Sequence, residues 1–187
     1  MSNINSKELH EIIQYHIDNK MLLNIVRTFD NETDVLRGFP IKFSEELLLM
    51  TIVNDFHDEG FVLLRLSDIS DAYSKESDAF YEKICISEGL QNKVQQNYIN
   101  TICSVKCVLQ QLESYDGLIS VECEEQREKC TFFLGKIVTI EDDGVVFKDV
   151  GVDGEWDDET HKISYADITQ ITFGDNYSKT FYKYANK

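Results

Sequence analysis

The chain repeats itself, and this repeat constrains the fold more than any other feature of the sequence. The stretch "RGFPIKFSEELLLMTIV" (37–53) can be laid over "LGKIVTIEDDGVVFKDV" (134–150), which pairs Gly38 with Gly135. Further on, "LLRLSDISDAYS" matches "HKISYADITQITF", pairing Asp68 and Ile69 with Asp167 and Ile168. Next, "DAFYEK" matches "KTFYKY", pairing Phe80 and Tyr81 with Phe181 and Tyr182. From Gly38 to Asp68 is 30 residues, and from Gly135 to Asp167 is 32. Order and spacing are both kept, so the sequence reads as a tandem duplication. The unit of about ninety residues is too long for a solenoid of short repeats. Two domains are expected, residues 1–87 and 88–187.

Each copy opens on a helical pattern. Leu9, Ile12, Ile13, His16 and Ile17 recur at the spacing of one helix face, and Asn5 with Glu8 three places on has the form of a capping box. A second stripe begins near Glu88 and runs through Val94, Tyr98, Ile102, Val105, Leu109 and Leu112, with Gly117 placed to end it. Strand-like runs rich in β-branched and aromatic residues follow each helix. In the first copy these are "LLNIVRTF", "VLRGFPIKF", "ELLLMTIVNDF", "GFVLLRL" and "SDAFYEKICI". In the second they are "LISVEC", "CTFFLGKIVTI", "GVVFKDVGV", "HKISY" and "TQITF", with "FYKY" continuing as an edge strand or packing on the sheet. The class is α+β, mostly β.

A helix followed by five short, bent antiparallel strands resembles the Sm-like small barrel, and "FFLGKIVTIEDDGVVF" resembles the first Sm motif. There a glycine lets strand two curl where backbones crowd. "ISYADITQITF" resembles the strand pair that closes such a barrel. The resemblance implies two Sm-like (SH3-like) barrels, each preceded by its helix. It also implies binding of single-stranded RNA through loop residues, and here the chain departs from the family. The loop after strand two is "EDDG" or "SEEL" rather than an Asp and Asn pair, and no Arg-Gly step occurs in the second motif. No RNA-binding residue carries over.

Charge argues the same way. The formal net charge is −16, and residues 1–92 carry 17 acids against 8 bases, residues 93–187 carry 17 against 10. Nucleic-acid affinity needs clustered cations to displace counterions. A basic protein, or self-association through barrel edges, is the expected partner. No run of 18 apolar residues and no cleavable leader is visible, so a cytoplasmic chain without membrane contact is expected.

Candidate chemistry is sparse. Cys85, Cys103, Cys107, Cys123 and Cys130 read as reduced thiols. Cys103 and Cys107 lie four apart, where half a metal site or a redox pair competes with the plainer reading of small buried residues on a helix. "DGEWDDETH" (153–161) is oxygen-rich but lacks the ligand alternation of a calcium loop, so a solvated hairpin loop is expected. Its Trp156 either folds back over the sheet or anchors a partner. His16 falls on the apolar stripe of the first helix, and His57 is placed to pair with Asp58 or Glu59. No catalytic motif is found, so neither enzyme activity, a cofactor nor a metal is expected. The expected function is a non-catalytic interaction module, with Glu141, Asp142, Asp143, Trp156, Asp157 and Asp158 as partner-binding residues. An immunity or inhibitor protein that neutralises a basic toxin or nuclease is the alternative, and an Sm-like RNA-binding protein a further one.

Overall fold

A computed structural model describes residues 4–29, 32–125 and 132–185. The chain is mixed α+β with antiparallel strands, and it separates into two compact units, Met1–Asn97 and Tyr98–Lys187. Cys130, placed by the sequence at the head of a strand, lies outside the described residues.

The first unit begins with α1 (Ser6–Asn19). Asn5 caps it: its Oδ1 accepts from the Glu8 amide at 3.0 Å and its side-chain amide donates to Glu8 Oε2 at 3.1 Å. Lys20 closes it in the left-handed region, φ 54°. The strands are β1 (Leu23–Phe29), β2 (Glu32–Gly38), β3 (Pro40–Phe43), β4 (Leu47–Asn54), β5 (His57–Arg65) and β6 (Ile69–Tyr73). β2 and β3 are one run broken only at Phe39. β2 pairs with β1 and β3 with β4, so the chain changes neighbours at that bend. With β6 on β1 and β5 on β4, the order is β6-β1-β2/β3-β4-β5. Leu9 and Ile13 of α1 seal a core with Leu23, Ile25, Leu48, Met50, Val62 and Leu64.

The second unit has α3 (Val105–Leu112), with α2 (Asp78–Ser87) belonging to the first. Its strands are β7 (Ile119–Glu122), β8 (Phe132–Ile140), β9 (Gly144–Asp149), β10 (His161–Ser164) and β11 (Gln170–Phe173), before a last helix, α4 (Asn176–Tyr184). Within this unit the pairings give β11-β7-β8-β9-β10. The outer strands do not close on each other: among the described residues no ladder joins β5 to β6 or β10 to β11.

The two glycines sit in like positions. Gly38 faces Leu23, Gly135 faces Ile119, and a Cβ on either would overlap a backbone carbonyl of the next strand, Thr51 or Lys148. Strand three can approach only because no side chain intervenes.

Three expectations are corrected. "SDAFYEKICI" is helix α2, and the fifth strand of the first unit is "ISDAY" instead. Tyr81 and Cys85, four apart, turn inward together while Phe80 is 73% exposed, a helical and not an alternating pattern. "FYKY" is likewise helical and not an edge strand: Asp175 Oδ1 accepts the Ser178 amide at 2.7 Å and starts α4, whose Phe181 and Tyr182 pack on Leu118, Leu134 and Val150, in line with the packing alternative. The long second helix is broken. Gly89 (φ 77°) leads into a 3₁₀ segment, Leu90–Gln96, and the α-helix starts only where the Ser104 hydroxyl accepts the Cys107 amide at 3.2 Å. Tyr98, assigned to its apolar stripe, is exposed instead.

Candidate functional site

The acidic residues singled out by the sequence occupy the two ends of β9 and form no single cluster. At its start, the β8–β9 turn is pinned by the Glu141 amide donating to the Gly144 carbonyl at 2.9 Å and by the Tyr165 hydroxyl donating to the Glu141 carbonyl at 2.8 Å. Lys162 of β10 stands between two carboxylates of this turn, 2.8 Å from Glu141 Oε2 and 2.9 Å from Asp143 Oδ1. Lys106 of α3 lies 3.0 Å from Asp142 Oδ1. The Lys162 hydrogen bond and charge hold the Asp143 carboxyl below its usual range, and the same two acids push the Lys162 ammonium up. Each pair lies near the surface, where solvent screening leaves it little weight in stability. Its larger consequence is to cancel much of the turn's negative field.

At the other end of β9 the loop 150–160 is held by its own backbone. The Gly151 amide donates to the Glu155 carbonyl and the Asp157 amide to the Asp149 carbonyl, while Gly154 takes φ 82°, a value that favours glycine. Val150 and Trp156 bridge across the loop, and the indole packs on Leu118, Leu134, Val150 and Ala185 beside Phe181 and Tyr182. Of the two readings of Trp156, this packing supports the folded-back one. Asp157 Oδ2 is 3.2 Å from His161 Nε2, and Asp153 Oδ1 accepts the Glu155 amide. Asp153, Asp158 and Glu159 remain exposed. Among the described residues no three His, Cys, Asp or Glu side chains converge as a metal site would require.

Asp149 connects this loop to the sheet. Its Oδ1 accepts the Leu134 amide at 2.6 Å, and burial raises the carboxyl above its ordinary range despite that bond. A carboxyl raised in the folded state is most favourable to folding below its unfolded range and costs stability as pH rises through the folded value. Asp149→Asn keeps the acceptor and removes the charge. Its melting temperature should therefore exceed that of the wild type at pH 7, with the difference vanishing near pH 3. An equal or lower value at pH 7 would refute this.

Sequence reasoning missed a cation–aromatic pair in each unit. In the first, the Arg37 guanidinium lies 4.6 Å over the Tyr81 ring, and Arg37 Nε donates to Asn24 Oδ1 at 2.8 Å. Asp78, 9% exposed, accepts from Asn24 at 2.9 Å and lies 3.7 Å from Arg37. In the second, Lys136 lies 4.4 Å over the Tyr182 ring and donates to its hydroxyl at 2.8 Å. Both tyrosines sit on the helix after the last strand, and both cations flank the strand-two glycine. The signal was present in the pairing of Tyr81 with Tyr182, but a helical reading of those segments was needed to use it. A groove of about 630 Å³ opens beside Arg37 and Tyr81, lined also by Val35, Ile52 and Asn54. At its rim, the Phe56 ring stacks on Tyr81 at 4.4 Å from a turn position with φ 63°.

The other candidates are accounted for locally. His16 is buried with Nδ1 2.8 Å from the Ile12 carbonyl. His57 Nδ1 is 2.8 Å from the Asp55 carbonyl, not from the Asp58 or Glu59 side chains. Cys103 is exposed and precedes α3, and Cys107 is half-exposed in its first turn, which corrects the reading of both as buried helix residues. Among the described residues no helix is long and apolar enough to cross a membrane. No protein-family model, curated protein or solved structure matches the chain.

Proposed function

We propose that the chain is a non-catalytic interaction protein made of two duplicated Sm-like units, and that it binds a basic protein partner through the loop 150–160. The Sm-like reading is supported by what the units share: a leading helix, the strand order five-one-two-three-four, and a glycine at the close approach of strands two and three. In both units the outer strands remain unpaired with each other, so each is an open form of that plan. The terminal helices α2 and α4, each set on a small apolar cluster, are an addition to it.

The observation that carries the binding proposal is the bracing of the acidic loop by its own backbone bonds and by Trp156. Trp156 and the backbone bonds to Asp149 and Glu155 brace its course, which lowers the backbone ordering cost of presenting Asp153, Asp158 and Glu159 to a partner. Trp156 is the post that holds the loop, and the contacting groups are the carboxylates. Glu141, Asp142 and Asp143 contribute less because Lys162 and Lys106 already neutralise them.

The test uses partners captured on the full chain. The triple change Asp153→Lys, Asp158→Lys and Glu159→Lys should leave the melting temperature within about 2 °C and slow association with the captured partner about tenfold or more. Raising salt from 0.05 to 0.5 M should slow the wild type similarly, because screening shortens to a few ångströms. Tight binding of single-stranded RNA, or a partner indifferent to both salt and the three reversals, would overturn the proposal.

A further inference from the structure

The segment just before α3 folds back onto the helix and brings two thiols together. Gln111, in the last turn, holds it like a clamp. Its Oε1 accepts the amides of Asn100 at 2.7 Å and Thr101 at 3.2 Å, and its side-chain amide donates to the Thr101 carbonyl at 2.7 Å and the Cys107 carbonyl at 2.9 Å. Ser104 caps the helix through the Cys107 amide, so Cys103 lies just outside the first turn and Cys107 just inside it. Cys103 and Cys107 thus lie on either side of Ser104, and each thiol perturbs the other. The Thr101 hydroxyl is 3.2 Å from Cys107 Sγ, and the Gln111 amide donates to that sulfur at 3.7 Å.

We propose that Cys103 and Cys107 form a dithiol site that reacts with small-molecule disulfides and closes to an intramolecular disulfide. The roles of the two sulfurs differ. Cys107 has polar donors around it and lies at the amino-terminal end of α3, both of which favour its thiolate. The neighbouring Cys103 thiol, followed by the Thr101 hydroxyl, lowers the Cys107 thiol, whereas Cys107 raises Cys103. Cys107 is therefore the attacking sulfur and Cys103 the resolving one. The Cys107 thiolate attacks one sulfur of RS–SR, forming a Cys107–SR mixed disulfide and releasing RS⁻. Cys103 then loses its proton to that thiolate and attacks Cys107 Sγ, expelling the second RS⁻. The protein dithiol is oxidised by two electrons and the reagent is reduced to two thiols. The ring so formed spans the Ser104 cap and ties the entry of α3 covalently to its first turn.

The probe is glutathione disulfide applied to the full chain, followed by tryptic mapping without reduction. Trypsin cuts after Lys106, between the two cysteines, so an internal disulfide links two peptides, and fragmentation distinguishes Cys107 from Cys123 on the second. The expected product in the wild type is the Cys103–Cys107 link. In Cys103→Ser a stable glutathione adduct on Cys107 should accumulate, and in Cys107→Ser the reaction of Cys103 should be slower by about tenfold or more. Wild-type protein carrying separate glutathione adducts on both residues would overturn the proposal. So would Cys103 reacting as fast without Cys107 as with it.

Discussion

Gly135→Val is expected to lower the stability of the protein by about 3 kcal/mol, and Gly38→Val by a similar amount. A Cβ at either position would overlap a backbone carbonyl of the adjoining strand, Lys148 or Thr51, and the next nearest atoms are backbone too. A flexible side chain could move aside, but a ladder carbonyl can move only by breaking its pairing. In β9 that pairing includes Gly135 opposite Asp149 and Lys136 opposite Lys148. Ala should already be costly at both positions, because the Cβ itself is the clash, with Val adding its branch. Chemical denaturation followed by circular dichroism measures the loss. A Gly135→Ala variant as stable as the wild type would show that the strands do not approach as described.

Phe147→Ala should be comparably severe, costing about 3–5 kcal/mol through lost transfer energy and the cavity left behind. Phe147 is fully buried in β9, opposite Ile137 on one side and His161 on the other. The repeat register pairs it with Met50 in β4, also fully buried, where Met→Ala should cost about 2–5 kcal/mol. By contrast Phe80→Ala, on the solvent side of α2, should change stability by less than about 0.5 kcal/mol. If Phe80→Ala destabilised as much as Phe147→Ala, the assignment of α2 and its inward face would be wrong.

Residues 63–85 show where sequence reasoning misled. Ile69, Tyr73, Phe80 and Tyr81 favour strands by type, and propensity alone gives no boundary among them. "SDAFYEKICI" has strand-like residue types but is helical over Asp78–Ser87, and the strand is the shorter "ISDAY". What decides is position: Ala72 reaches the α1 core, and Tyr81 with Cys85 reaches Leu22, Phe39 and Val53. The interrupted helix before α3 failed for a related reason. The apolar stripe that starts near Glu88 runs across Gly89, whose positive φ marks a stop, and across Ser104, whose capping role marks a start.

Among the candidate binding residues, the sequence showed which loops were acidic but not which charges were already answered. Lys162 lies about twenty positions from Glu141 and Asp143, and Lys106 further still from Asp142, so only the folding of β10 and α3 onto the turn brings them into contact. The thiol pair was visible as a spacing of four, whereas the Gln111 clamp on the segment before α3 joins residues ten and eleven positions apart.

By itself the sequence determined the local and periodic features: the capped first helix, the strands around each glycine, the acidic balance and the register that pairs Gly38 with Gly135. Those follow from near-neighbour geometry and from side-chain period, which the chain carries in its own order. Only the tertiary structure decided which aromatic runs became helices, which carboxylates are met by a lysine, and that among the described residues the last two strands of each unit form no ladder with each other. Those outcomes depend on contacts between residues far apart in sequence, where burial and ion pairing outweigh intrinsic preferences of a few tenths of a kcal/mol, about the size of local propensity.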